Sequence, residues 1–163
     1  MIRASLIASA LATPILLTGV TALQAEEQAE MIAPTGDVAA GETAFNRQCV
    51  ACHVVVNDEG EKLAGRNGRT GPNLFPVPYR TAAQDEDFRY GKGMELAGAQ
   101  GVTWTEAHFT AYVQDPTGFL RDVTEDGSAR SKMSFKVRKP EDAADIFAYL
   151  ASLNPAPEET AEK

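Results

Sequence analysis

Cys49-Val50-Ala51-Cys52-His53 gathers the chain's only two cysteines and one of its two histidines into five consecutive residues. In a helical turn, residues three apart lie on one face, so both sulfurs can bond to one planar group and the imidazole that follows can reach a metal at its centre. Cys-x-x-Cys-His is the attachment sequence of a c-type haem. It predicts thioether bonds from Cys49 and Cys52 to the two vinyl groups and iron ligation by His53. Two other chemistries use the same residue types. A structural zinc needs four ligands, and His108 is the only further Cys or His in the chain; adjacent Cys52 and His53 make poor tetrahedral partners. A redox dithiol needs a βαβ setting, and no such alternation of strand and helix signals is present.

A haem iron also needs a sixth ligand or an open site, which separates an electron carrier from an enzyme or gas binder. The candidates are Met94, His108 and Met133. His108 lies between Ala107 and Phe109 on a predicted helix and reads as an exposed helix residue. Met94, in Gly91-Lys92-Gly93-Met94, can equally fill a gap beside a cofactor. Met133 sits in Ser131-Lys132-Met133-Ser134-Phe135, a loop before the last predicted helix, and a thioether there gives a six-coordinate iron.

Three helices are predicted to position these groups. Asp37 caps the first, which runs to about Gln48 with Val38, Gly41, Ala44 and Phe45 on one face. Thr103 and Glu106 have capping-box spacing for a second from Trp104 to about Gln114, stopped by Asp115-Pro116. Lys139-Pro140-Glu141-Asp142 starts a third, with Ala143, Ile146, Phe147, Leu150 and Leu153 apolar and Asn154-Pro155 ending it. The stretches between, chiefly Val54 to Gly101 and Thr117 to Ser131, read as Gly- and Pro-rich loops without hairpin chemistry. So much loop is unusual in a small domain and makes sense if it wraps a large rigid cofactor. The expectation is an all-α domain of three main helices and long loops around one covalent haem, spanning residues 36–154.

The ends have a different character. Arg3 and the apolar run Leu6 to Leu23, followed by Gln24-Ala25, read as a signal peptide over residues 1–25, with an uncleaved anchor as the alternative. Residues 26–35 form an acidic tail, and residues 155–163 read as a disordered tail rich in Ala, Glu and Pro. The formal charge of the whole chain is −8; losing the leader removes Arg3 and no acid. An acidic product of this kind is not built for nucleic acid or an anionic membrane surface. Export implies a periplasmic location.

The motif, with Gly36-Asp37-Val38, Gly41 and Phe45 before it and Thr70-Gly71-Pro72-Asn73-Leu74, Arg80, Phe88-Arg89-Tyr90-Gly91, Thr103-Trp104-Thr105-Glu106, Tyr112, Pro116, Ser131-Lys132-Met133 and Ala144 to Leu150 after it, resembles the class I cytochromes c, in particular the long-chain bacterial cytochrome c-two type. The resemblance implies the class I cytochrome c fold and one haem c with His53 and Met133 as its axial ligands. It implies that the Pro72 carbonyl accepts a hydrogen bond from His53, that Arg80, Tyr90, Trp104 and Ser131 surround the haem propionates, and that Tyr112 bonds near the Met133 sulfur. Gly41 would let the first helix cross closely against Ile146 and Tyr149. The chain departs from the family at Tyr79, where glycine usually precedes the arginine matched here by Arg80, and at Phe119, where tyrosine is common. Its segments 54–69 and 120–130 are longer than in compact members.

The function expected is a monomeric, non-enzymatic carrier that shuttles single electrons between membrane redox complexes or other redox proteins in a respiratory or photosynthetic chain. A haem enzyme, a gas sensor or a fixed subunit of an oxidoreductase are the alternatives. Arg130, Lys132, Lys136, Arg138 and Lys139 cluster around Met133 with no acid between Ser128 and Pro140, a basic docking patch on an acidic protein.

Overall fold

The computed structural model of the protein describes residues 33–154. The segment expected to be a signal peptide (residues 1–25), most of the expected acidic tail (26–35) and the expected C-terminal tail (155–163) lie outside the described residues. The Asp37 carboxylate accepts from the Ala40 amide at 2.7 Å and starts α1, Val38–Gln48. The last helix, α5 (Pro140–Leu153), begins with Pro140 at its first turn, followed by Glu141 and Asp142. These two helices cross at Gly41: a Cβ there would lie 1.9 Å from the Asp145 carbonyl oxygen and 2.9 Å from the Tyr149 Cβ. Only glycine permits that approach, and its neighbours are Asp145 and Tyr149 rather than Ile146. Around the crossing Phe45, Ile146, Phe147 and Leu150 are fully buried, and Phe45 packs on Tyr149 with ring centroids 5.5 Å apart.

The middle helix α3, Glu106–Gln114, starts two residues later than its sequence suggests. Thr105, not Thr103, is the cap and accepts from the His108 amide at 3.1 Å. The capping-box expectation fails because Glu106 turns outward to accept from the Thr35 amide at 2.6 Å and from the Thr35 hydroxyl. Thr35, read as the end of the tail, is thus tied to α3.

The segments read as loop contain four further elements. Strands β1 (Val54–Val56) and β2 (Lys62–Gly65) pair antiparallel with an irregularity between Val55 and Val56. Their turn is closed by the Asn57 side chain, which accepts from the Glu61 amide at 2.7 Å, with Gly60 at φ +80°. Helix α2, Lys92–Ala99, forms despite three glycines in or beside it. Gly98 is required there, since a Cβ would meet the Ala82 carbonyl oxygen at 2.5 Å; packing overrides helix propensity. Helix α4, Pro116–Thr124, has Pro116 at its first turn and ends at Glu125, φ 53°. The Asp115-Pro116 pair that stops α3 therefore also starts α4. α3 packs against α5 and α4, and α2 against α4. The result is helical, with the expected three helices accompanied by two more and one small hairpin.

Candidate functional site

Cys49 closes α1, and the chain then turns tightly: the Cys52 and His53 amides both donate to the Cys49 carbonyl at 3.0 Å. This turn holds the two thiols and the imidazole together, as the spacing requires. Both thiols are free and partly buried. Burial pushes the Cys49 thiol up to about 12, with the charge of Cys52 adding to the effect. A thiol held protonated, as Cys49 is, is a poor nucleophile at neutral pH, which counts against the redox-dithiol chemistry. Among the described residues no three His, Cys, Asp or Glu side chains are grouped as a zinc site needs.

The His53 ring is fixed from the far side. Its Nδ1 donates to the Pro72 carbonyl at 2.9 Å, so the proton sits on Nδ1 and the Nε2 lone pair is left for a metal. Burial holds the imidazole below its usual range, opposed by the Pro72 bond, which keeps the ring neutral. Gly71 lies flat against it: a Cβ on Gly71 would be 2.2 Å from His53 Cε1. The Thr70-Gly71-Pro72 stretch is held in turn by Asn73, whose side chain bridges the Val56 amide and carbonyl at 2.9 and 2.7 Å, and whose own amide donates to Asp85 at 2.7 Å. Asn73 stands within the family motif without a role of its own there, and Asp85 lies outside every motif; both show their function only through these bonds.

Met133 is half-buried against the core, in a loop fastened at several points. The Ser131 hydroxyl accepts from the Met133 amide at 3.0 Å and shares a 2.9 Å hydrogen bond with the Tyr112 hydroxyl, while the Ser131 amide donates to Thr117 Oγ1 at 3.3 Å. Lys132 reaches across to the Arg89 carbonyl and lies 5.8 Å over the Phe88 ring. Tyr112 therefore meets Ser131, two residues before Met133, and Ser131 acts as a strut of this loop. Met94 is buried in the core on α2. His108 is not an exposed helix residue: its ring bonds the Thr103 carbonyl at 2.7 Å and packs edge-on against Phe119 at 5.6 Å.

Trp104 is buried, stacked on Phe119 at 5.9 Å and edge-on to Tyr112 at 5.1 Å. The Tyr90 hydroxyl accepts from the Asp85 amide at 3.2 Å. Arg80 Nη2 donates to Asn154 Oδ1 at 3.4 Å, and Arg80 Nη1 is buried with no partner in the protein. A buried guanidinium nitrogen without an acceptor is costly and fits an anionic group of a bound cofactor. Asn154, also unforeseen, anchors this corner by donating to the Phe75 carbonyl at 2.6 Å. Tyr79 has φ 62°, the left-handed region that suits glycine. The family's usual residue is thus explained by the backbone, and Tyr79 is held there by its amide bond to the Trp104 carbonyl at 3.0 Å and its edge-on contact with Phe147 at 5.4 Å.

The cytochrome c family model matches residues 38–154. This chain belongs to the cytochrome c family. It is 59% identical over 119 residues to the cytochrome c2 of Rhodovulum adriaticum, covering 73% of this chain and 94% of the relative. It is 42% identical over 125 residues to the cytochrome c-550 of Paracoccus denitrificans, covering 76% and 78%. The structure of cytochrome c2 from Rhodobacter sphaeroides superposes with a TM-score of 0.71 at 52% identity, covering 75% of this chain and 99% of that one. The cytochrome is accordingly an electron-transfer protein rather than an enzyme. It carries one haem c, bound covalently through its two cysteines. Its partners are other redox proteins. No helix among the described residues is long and apolar enough to cross a membrane.

Proposed function

We propose that His53 Nε2 and the Met133 sulfur are the two axial ligands of this cytochrome's haem, and that it works as a periplasmic shuttle docking through the basic surface around Met133. The observation that carries the ligand assignment is the contrast between the fastened, half-buried Met133 loop and the other candidates. Met94 is committed to the core, and the His108 ring is tied to Thr103. The haem iron, when bound, supplies a one-electron couple. The chain's own residues set its surroundings. Pro72 holds the proton at His53 Nδ1, which raises the basicity of Nε2. Ser131, Tyr112 and Lys132 fix the Met133 loop, so that a change of oxidation state requires little movement. Arg80, with Tyr90 and Trp104 nearby in the family pattern, would hold the propionates, and the buried, unpartnered Nη1 supports that role.

Arg130, Lys132, Lys136, Arg138 and Lys139 are all exposed, and Phe135 among them is 48% exposed. An apolar centre with a charged rim is the anatomy of a transient docking surface. The reduced protein should show no spectral change with carbon monoxide, since both axial positions are filled. A spectrum shifted by carbon monoxide would favour the enzyme or gas-binding reading. Oxidation rates with an acidic partner should fall as salt rises, and Lys132→Glu should flatten that dependence; unchanged dependence would remove the patch from the docking site.

A further inference from the structure

The sequence shows five cations around Met133 and no acid among them, but the fold brings one in. Asp115, at the junction of α3 and α4, pairs with Lys136 at 2.9 Å. Among the described residues there are two ion pairs, and this is the one that involves the patch. None of the other four cations is in an ion pair among the described residues: Lys132 is held by a carbonyl and an aromatic face, and Arg130 Nη1 by the Ala129 and Gly127 carbonyls at 2.8 and 3.3 Å, with Asp126 acting on Arg130 only through its field. Asp115 and Lys136 are both more than half exposed, with side-chain exposures of 58% and 53%, so their pair adds little to stability. Its effect lies in the field. An isolated cation acts as a monopole, whereas a pair separated by 2.9 Å acts as a dipole, whose potential at about 10 Å is weaker by about threefold. The Asp115 carboxylate is held below the usual carboxylate range, chiefly by Lys136, so it is charged at neutral pH.

We propose that Asp115 is a specificity-determining residue of the docking surface: it masks Lys136, so that the patch steers partners with four charges and the fifth counts only in close contact. The proposal rests on the docking reading above. The pair sits where the chain leaves the Met133 loop, because the Val137 amide donates to the Val113 carbonyl at 2.8 Å on α3. Asp115 is therefore held beside the patch by the same backbone contact that shapes it. A partner with a dense acidic surface gains a carboxylate contact to Lys136 in exchange for that of Asp115. A weakly acidic partner feels four cations only, and discrimination between the two is sharpened.

The test uses the holoprotein and a small anionic oxidant, hexacyanoferrate(III), with the cationic hexaammineruthenium(III) as the opposite-sign control. At low ionic strength Asp115→Asn should raise the bimolecular rate with the trivalent anion by about fivefold, the effect of one unit of charge at about 10 Å, and lower it with the cation. Lys136→Gln should slow the anion by a similar factor, and the double variant should return to the wild-type rate. Glu42→Gln on α1, with the same change in net charge, should have a smaller effect. Equal visible spectra and reduction potentials exclude a change at the haem. If Asp115→Asn leaves the rate unchanged, or matches Glu42→Gln, the masking is wrong. Lys132→Gln separates the two claims: it should slow the anion, and if it does not while Asp115→Asn accelerates it, the patch centred on Met133 fails and Asp115 does not act through it.

Discussion

Gly71→Ala should damage the His53 site in a way that can be worked from distances. The new Cβ would lie 2.2 Å from His53 Cε1, 2.6 Å from Nδ1 and 2.8 Å from Nε2. Ordinary contact begins at about 3.5 Å, so ring or backbone must move by about 1.3 Å. A shift of that size along the contact lengthens the 2.9 Å bond from Nδ1 to the Pro72 carbonyl to about 4 Å, beyond hydrogen-bonding range. Overpacking costs about 1–3 kcal/mol and the lost buried hydrogen bond about 1 kcal/mol more, giving a destabilisation of about 2–4 kcal/mol. Urea unfolding of the holoprotein, followed by haem absorbance, measures it. Solvent exchange of the His53 Nδ1 proton, followed by NMR, should become faster, which a loss of stability elsewhere would not produce under native conditions. Gly127→Ala is the control: nothing lies within 4 Å of its Cβ position, and its stability should change by less than about 0.5 kcal/mol. A Gly71→Ala protein as stable as wild type, with its Nδ1 proton still protected, would refute the reasoning.

Three further outcomes follow from named contacts. Because Tyr79 sits at φ 62°, Tyr79→Gly should be more stable than Tyr79→Ala by about 1 kcal/mol in denaturant unfolding, the reverse of the usual order. If Ala is the better replacement, backbone strain does not explain the family's glycine. Ser131→Ala removes the oxygen shared by Tyr112 and the Met133 amide and should destabilise the protein by about 1–3 kcal/mol while weakening the sulfur-to-iron charge-transfer band; an unaltered band would free Ser131 from any role in the loop. Lys136 holds the Asp115 carboxyl below its unfolded-state value, so its contribution is present above the unfolded pKa of about 4 and is lost as pH falls through the lower folded value. Comparing the acid unfolding of wild type with that of Asp115→Asn measures it.

Much of this molecule was legible in the sequence because its site is local. Five adjacent residues carry the attachment chemistry, and the helices at each end have strong caps and clear apolar faces. What escaped notice depended on partners distant along the chain. Three glycines concealed α2, whose reason for keeping Gly98 is the Ala82 carbonyl. Asp115-Pro116 read only as a stop, although a proline suits a first helical turn as well as it ends a preceding one. The Val54-Val55-Val56 strand and its Asn57 turn carried the usual signals but were outweighed by the glycine-rich surroundings. Asn73, Asp85 and Asn154 hold the site by bonds spanning 12 to 79 positions, and polar residues in loops show no periodicity to betray them. The cation count around Met133 was right along the chain and incomplete in space, because Asp115 arrives from another helix.

The ligand set is the central claim, and the visible spectrum of oxidised Met133→Ala beside that of Met94→Ala tests it most directly. Loss of the sulfur-to-iron charge-transfer band in Met133→Ala, with the band intact in Met94→Ala, is the result expected from His53 and Met133 ligation. A band that survives in Met133→Ala and disappears in Met94→Ala would contradict it.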